Sequence, residues 1–378
     1  MVGPLTSDWE WNSGQESELV GSMKNILNPL RGIGMPAHNG LADGEISADA
    51  SLVISLLQHC PAHEPTPLVD CPKLAAQIGI TSLHMKDERQ RMGLGSFKAL
   101  GAAFSIAKAA HKKIGDGIVD PIVAKTALKG TVFVTSSAGN HGLSVAAGAN
   151  IFGAKAVIFL SVHVPTNFAD RLRAMGAQVE ISGDDYEASM AAAMEAAKAN
   201  GWTLLSDSTW VEDTTGRDIM EGYLALCEEM ISQYGDAPSH MFLQAGVGGL
   251  ASAATVAARK MWGNKPHITV VEPTAAPALQ ASIEQKAPAL TSGPPSNMGR
   301  LDCKEPSHLA LKALARDADA FLTLDDEFVA AEICQLKAYG LETSPSGGAG
   351  FAATVAMAKE LGPDARVLVI LSEGAADD

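Results

Sequence analysis

An α/β fold with open parallel sheets and helices on both faces is what this sequence predicts, and three observations carry the prediction. From Thr131 onward, short β-branched apolar runs alternate with longer stretches closed by glycine. Two of these runs, ending at Thr135 and Gln244, pass directly into Gly- and Ser-rich turns that open a helix. In such turns backbone N–H groups and the helix dipole collect an anion. Finally, 378 residues of which 47% are hydrophobic can bury a substantial core, as two domains or as one large domain with an insertion.

The elements follow in chain order. Residues 1–45, rich in Gly, Ser, Asn and Pro with Trp9 and Trp11 as anchors, read as an irregular arm. Ser47 caps a helix through about Gln58, and the prolines Pro61, Pro65 and Pro67 end it. A short strand, Ser82 to Met85, precedes a helix that begins at Lys98 and runs to about Ala110. Thr131 to Thr135 is a buried strand. Then come a helix from Gly142 to Gly153, a strand at Ala156 to Leu160 and a helix at Asn167 to Met175. A strand at Gln178 to Ile181, a helix capped by Asp184 or Asp185 and closed by Gly201, and a strand near Leu204 continue the alternation. A helix from Arg217 to Tyr234 leads to strand Met241 to Gln244, helix Leu250 to Trp262 and strand Ile268 to Val271. Ala287 to Pro306 reads as a functional loop or domain crossover. Helices at Phe328 to Tyr339 and Gly350 to Leu361 and a strand at Val367 to Leu371 complete the chain.

Composition excludes several classes of function. The formal charge is −15, from 28 basic and 43 acidic residues, with no Lys/Arg cluster beyond His111-Lys112-Lys113, which argues against nucleic acid or an anionic membrane as partner. Cys60, Cys71, Cys227, Cys303 and Cys334 are scattered, odd in number and without metal-ligand spacing, so no metal site is expected and a reducing cytoplasmic setting is. The N-terminus carries Asp8, Glu10, Glu16 and Glu18 with no apolar core of a signal peptide, and no run of 18 uncharged apolar residues occurs.

Four stretches carry chemistry. In Gly95-Ser96-Phe97-Lys98-Ala99-Leu100-Gly101, Ser96 is a good N-cap and Phe97, Leu100, Gly101 and Phe104 form an apolar face, which puts Lys98 in the first turn of a largely buried helix. Such a lysine needs a carboxylate, a route to solvent, or a covalent bond to a carbonyl such as that of pyridoxal phosphate. By itself the pattern equally suits a lysine whose methylenes cover the helix while its head reaches water. Gln244-Ala245-Gly246-Val247-Gly248-Gly249-Leu250 suits a phosphate, yet Gly246-x-Gly248-x-x-Ala251 with Glu272 further on also matches a dinucleotide fingerprint, and tight packing without a ligand is a third reading. Ser136-Ser137-Ala138-Gly139-Asn140-His141-Gly142 forms a second anion-friendly loop, in which Asn140 offers an amide to a phenolic oxygen. Ser372 stands at the carboxyl end of the last strand, where open α/β sheets place ligands. A serine beside a pyridine nitrogen leaves it largely unprotonated, which favours loss of a β-substituent over transamination.

Together these motifs resemble, over about residues 65–378 and in the family's order, the second structural class of pyridoxal-phosphate enzymes, that of tryptophan synthase β and threonine dehydratase. Pro65-Thr66-Pro67-Leu68, Lys86-Asp87-Glu88 and Ser96-Phe97-Lys98 match its opening and lysine motifs, Ser137 to His141 its ring-and-carboxylate loop, Gly246 to Gly249 its phosphate loop, and Ser372 its pyridine partner. Within the class the likeness is to diaminopropionate ammonia-lyases, through Gly93 to Lys98, Met220-Glu221-Gly222-Tyr223 and Cys303-Lys304-Glu305-Pro306-Ser307. The resemblance implies a fold of two parallel-sheet domains, with residues 46–95 and 203–378 as the large cofactor-binding domain and 96–202 as the small one. It implies pyridoxal 5'-phosphate held by Lys98, Asn140, Gly246, Val247, Gly248, Gly249, Leu250 and Ser372. It also implies an amino-acid substrate on Ser136, Ser137, Ala138, Gly139 and His141, and catalysis by Lys98 with Asp207, in a cytoplasmic homodimer. The expected reaction is α,β-elimination from a β-hydroxy or β-amino L-amino acid to a 2-oxo acid and ammonia. β-Replacement is the near alternative, and an NAD-dependent dehydrogenase built on Gly246 to Glu272 is the distant one. One departure bears on stereochemistry: Ala138 stands where the family carries an aspartate thought to serve the D-isomer. A β-branched residue at Gly248 is expected to cost cofactor affinity more than stability.

Overall fold

The computed structural model describes residues 23–37, 40–60, 62–211 and 215–375, so Trp9, Trp11 and the acidic residues near them lie outside it. Its strands are β1 (Lys24–Leu27), β2 (Leu68–Asp70), β3 (Ser82–Asp87), β4 (Val132–Ser136), β5 (Lys155–Leu160), β6 (Gln178–Ile181), β7 (Thr203–Leu204), β8 (His240–Gln244), β9 (His267–Pro273), β10 (Ala320–Leu324) and β11 (Arg366–Leu371). Among the described residues they form a seven-stranded sheet in the order β1-β10-β9-β8-β11-β3-β2 and a four-stranded sheet in the order β6-β5-β4-β7. Every pairing is parallel except the two edge pairs, β1 with β10 and β2 with β3. The chain is therefore the α/β protein with parallel sheets and helices that its alternating pattern predicts.

β11, the last strand in sequence, lies in the middle of the larger sheet, with Leu371 opposite Asp87 of β3 and Val369 opposite Phe242 of β8. Its unbroken apolar run from Val367 to Leu371 is buried, as a strand covered on both faces requires. The same logic explains β10, an apolar run without alternation that the sequence reading passed over together with the helix His308–Asp317 before it. β1 falls within the stretch read as an irregular arm, and its mostly exposed side chains give no strand signal.

Four expected helices are placed differently. That from Gly350 to Leu361 begins at Pro345 and breaks at Met357, and that from Phe328 to Tyr339 is an α-helix Asp326–Cys334 followed by a 3-10 helix Gln335–Tyr339. The helix expected from Ser47 begins at Ser51, because Ser47 accepts from Asp49 N and Asp49 accepts from Ser51 N, a turn that precedes the helix. The helix expected from Arg217 to Tyr234 is two, Gly216–Gly222 and Leu224–Tyr234, joined at Tyr223. The first of these lies against the helix Lys98–Ile114 at very short range. A Cβ on Gly222 would come 2.7 Å from the Leu100 carbonyl oxygen, and one on Gly101 would come 2.9 Å from that of Ile219. Only glycine allows this approach, and it fixes the helix that carries Lys98.

Candidate active site

In the larger sheet the order departs from β8 toward β9 and β10 on one side, while β11 and β3 lie on the other. The crevice at the carboxyl ends of β8 and β11 is thus a topological switch point, the place where open α/β sheets hold ligands. β8 runs into Gly246 to Gly249 and the helix Gly249–Trp262, and β11 runs into Ser372. The lysine segment is stitched to the end of β11: Phe97 N donates to Ser372 O at 3.1 Å, Gly374 N to Gly95 O at 3.1 Å, and Ser96 and Glu373 form an antiparallel bridge. Ser96 is buried, and its hydroxyl accepts from Lys98 N at 3.3 Å; the N-cap position, expected at Ser96, is held by Phe97, one residue further on, without a side-chain bond.

One cavity is lined by Phe97, Lys98, Asp207, the loop from Gln244 to Leu250, Cys303, Arg300, Ser372 and Glu373. The structure therefore brings Lys98, Asp207, Gly246, Val247, Gly248, Gly249, Leu250 and Ser372 to one place. Lys98 Nζ donates to Asp207 Oδ2 at 2.9 Å. Burial alone would lower the lysine's pKa, but the charge and hydrogen bond of Asp207 outweigh it and hold the ammonium above its usual range. Asp207 is held well below the carboxylate range, because the charge and hydrogen bond of Lys98 outweigh the cost of burying it.

The glycine loop is shaped by its neighbours. A Cβ on Gly246 would stand 2.9 Å from Cys303 Sγ and 3.0 Å from Arg300 O, so the backbone lies directly under the 300–303 loop. The N–H groups of the first turn of the following helix have no carbonyl partner in their own helix and face the cavity, a cradle for a phosphate. Gly248 has φ +99°, and a Cβ there would meet Ala310 Cβ at 3.1 Å and Leu279 and Leu314 at 3.3 Å. That corrects the expectation for this position: its side-chain direction is the core, so a β-branched residue acts on the fold first.

β4 delivers the second loop to the same crevice from the smaller sheet. Asn140 opens the helix Asn140–Ile151 and lines an adjoining cleft that shares Arg300 and Glu373 with the cavity; its Nδ2 donates to Glu373 Oε2 at 3.1 Å. His141 is buried, and Nε2 bonds Leu205 O at 2.9 Å, which makes Nε2 the protonated nitrogen and leaves Nδ1 a buried acceptor without a hydrogen-bond partner. Burial holds the ring neutral despite the nearby charge of Asp207. The Ser136 hydroxyl is bonded to Ser189 Oγ at 2.8 Å, away from the cavity. Ser137 presents its carbonyl 2.2 Å from where a Cβ on Gly142 would sit, and Ala138 packs partly on the core; of this loop Asn140 lines the cleft, while Ser136, Ser137, Ala138, Gly139 and His141 line neither it nor the cavity.

Glu373, Arg300 and Tyr223 line the site without having been singled out as site residues. Glu373 is buried and accepts from Ser344 Oγ and Asn140 Nδ2, with Arg300 Nε 2.9 Å from Oε2. Tyr223 stacks edge-on to Phe97 at 4.8 Å. Their one sequence signal is position: Glu373 follows Ser372, Arg300 lies in the Pro/Gly-rich loop, and Tyr223 closes Met220-Glu221-Gly222-Tyr223. Glu272, the acid a dinucleotide site would need, is fully buried and accepts from Leu279 N and Gln280 N at 2.7 and 2.8 Å, where no ribose can reach it. Among the described residues no group of three or more His, Cys, Asp or Glu is placed to hold a metal, and no helix is long and apolar enough to cross a membrane.

Comparison with known proteins agrees with this geometry. The family model described as pyridoxal-phosphate dependent enzyme matches residues 60–373. A diaminopropionate ammonia-lyase of Salmonella typhimurium is 32% identical over 294 residues, covering 72% of each chain. One of Escherichia coli is 29% identical over 373 residues, 90% of this chain and 93% of the relative. The crystal structure of the Escherichia coli protein with an aminoacrylate-PLP azomethine reaction intermediate superposes with a TM-score of 0.80 at 28% identity, covering 94% of both chains.

Proposed function

Since the chain belongs to the family of pyridoxal-phosphate dependent enzymes and is an ammonia-lyase of that family, we propose that its substrate is an L-amino acid bearing a β-amino group, with L-2,3-diaminopropionate as the simplest case. The observation that carries this choice is the Asp207–Lys98 ion pair. A lysine bonded to the cofactor can no longer serve Asp207 as a free ammonium. A buried carboxylate then needs another cation, and a substrate β-ammonium supplies one where a serine hydroxyl does not.

The residues present fit pyridoxal 5'-phosphate. The bare N–H groups at Gly248 to Leu250 would take the phosphate, Lys98 the aldehyde carbon, the Ser372 hydroxyl the pyridine nitrogen and the Asn140 amide the ring oxygen. When bound, the cofactor supplies an electron sink that acidifies the α-hydrogen and allows the β-substituent to leave. The chain supplies the rest. The Lys98 amine, once free, removes the proton at Cα from the single face on which its helix places it. The Ser136 to His141 loop would hold the substrate carboxylate with backbone N–H groups, and Asp207 holds the β-ammonium, which departs as neutral ammonia with the electron pair of its Cβ–N bond while the proton taken from Cα stays on Lys98. The division into residues 46–95 with 203–378 and 96–202 puts the glycine loop and Ser372 in one domain and Asn140 in the other. A cytoplasmic homodimer completes the proposal, and five free cysteines are consistent with a reducing compartment.

The test is to incubate purified protein with L- and D-diaminopropionate, L- and D-serine, and L-threonine, and to measure ammonia and 2-oxo acid. Turnover of L-diaminopropionate well above L-serine is expected. Little activity on either D-form is expected, because Ala138 supplies no base on the opposite face. A preference for serine or threonine would assign a dehydratase instead, and equal rates on both enantiomers would identify a second base that the loop does not show.

A further inference from the structure

We propose that Glu373 is a positioning residue that sets the orientation of the Asn140 amide, and through it the hydrogen bond offered to the cofactor's ring oxygen. The proposal rests on the reading of Asn140 given above. Glu373 stands where four segments of the chain meet. Its backbone bridges to Ser96, two residues before Lys98, and its carbonyl accepts from Thr343 Oγ1 at 2.5 Å. One carboxylate oxygen accepts from Ser344 Oγ. The other receives Asn140 Nδ2 at 3.1 Å and lies 2.9 Å from Arg300 Nε.

The direction of each bond follows from donor chemistry. Ser344 Oγ already accepts from Gly347 N at 3.0 Å, so its single hydrogen points to Glu373. An ionised carboxylate only accepts, so it admits the nitrogen of the Asn140 amide and repels its oxygen. With Nδ2 fixed there, one N–H is bound by Glu373 and the second remains for an anionic ring oxygen. Turning the amide over would set Oδ1 against the carboxylate and present no donor to either partner. Burial pushes the Glu373 carboxyl up and Arg300 opposes that rise; Arg300 N is itself held by Ser346 Oγ at 3.1 Å and its carbonyl packs on Gly246, so this cation is tied to the phosphate loop. Charged groups facing Glu373 are thus Arg300 from the 300–303 loop and Lys98 from its own helix. The result links the lysine segment, the ring-oxygen donor and the phosphate loop through one carboxylate.

The experiment is a double-mutant cycle in the holoenzyme, with Glu373→Gln, Asn140→Ala and the pair, read by the visible absorption band of the bound cofactor and by kcat and KM for the best substrate. Glu373→Gln keeps the shape but lets either face of the Asn140 amide dock. Both single variants should displace the absorption band in the same direction, and Glu373→Gln should lower kcat about tenfold. The double variant should match Asn140→Ala in both readouts, because a residue acting through Asn140 adds nothing once Asn140 is gone. Additive effects, or a Glu373→Gln spectrum identical to the parent's while Asn140→Ala shifts it, would overturn the proposal and leave the reading of Asn140 standing. An unshifted Asn140→Ala spectrum would overturn both. Ser344→Ala, which removes one anchor of the carboxylate at no change of charge, should shift the band in the same sense by less, and its silence also counts against the proposal.

Discussion

Asp207→Asn should make the protein capture its cofactor faster while making it a poorer enzyme. In the parent, Lys98 Nζ lies 2.9 Å from Asp207 Oδ2, and that carboxylate holds the ammonium above its usual range in spite of burial. Only the neutral amine attacks an aldehyde. A hydrogen bond to a charged group contributes about 1.5–3 kcal/mol, which at about 1.4 kcal/mol per tenfold biases the equilibrium toward the ammonium about 10–100-fold. Removing it leaves desolvation, which favours the neutral amine. The pKa of Lys98 should fall, and the neutral fraction near neutral pH should rise about 10–100-fold. Stopped-flow mixing of cofactor-free protein with pyridoxal phosphate, followed at the absorption of the covalently held cofactor across a pH series, reads this directly. The midpoint should move to lower pH in Asp207→Asn, while KM for a β-amino substrate rises. An unchanged midpoint and unchanged rate would refute the argument. The stability linkage has two limbs. Asp207 has a depressed pKa, so its contribution is present above the unfolded carboxylate value and is lost as pH falls through the folded one. Lys98 has a raised pKa, so its contribution is present below the unfolded lysine value and is lost as pH rises through the folded one.

Other substitutions separate fold from function. Gly248→Val should lower stability by about 1–3 kcal/mol, because φ is +99° and the side chain enters the core at Ala310, and urea unfolding of the cofactor-free protein measures it. Gly246→Ala should cost less stability but weaken cofactor binding, since it lifts the 300–303 loop from the phosphate cradle; unchanged affinity for pyridoxal phosphate would contradict that placement. Glu229→Gln should destabilise by about 3–5 kcal/mol, because Glu229 bonds both Arg91, at 2.7 and 2.9 Å, and Lys86, at 2.8 Å, and both cations are fully buried. Glu229 has a depressed pKa, so its stabilisation is lost as pH falls through that value, and the variant's stability should fall less steeply in acid than the parent's.

What the sequence disclosed and what it hid divide along a physical line. Lys98, the glycine loop and Asn140 each sit where strand or coil passes into helix, and Ser372 sits where an apolar strand ends; such changes are visible in a window of ten residues. Glu373 works through a partner 233 positions away, and no window contains both. Asp207 entered only through resemblance to a family. The run Lys86-Asp87-Glu88 entered only as part of a family motif, yet Lys86 and Glu88 are buried with Arg91 and Thr66 in one hydrogen-bonded network. Thr66 Oγ1 donates to Glu88 Oε1 at 2.5 Å, so the Pro65 to Leu68 motif closes a buried ion cluster. Charge pattern alone gives no sign of such mutual neutralisation, because each member is buried only by virtue of the others.

The central place of β11 bears on the order in which the molecule can be made. A ribosome releases the chain from its N-terminus, so β8, β9 and β10 emerge and can pair while the slot between β8 and β3 has no strand to fill it. Ser372 and Glu373, and the backbone bonds that seat Phe97 before Lys98, become available only after β11, which follows every other strand of this sheet in the chain. The lysine of a nascent chain is therefore synthesised long before it can be aimed. Competence to hold the cofactor is gained only once residues 366–374 have emerged, so a chain cut before Arg366 lacks both the strand between β8 and β3 and the lysine's support.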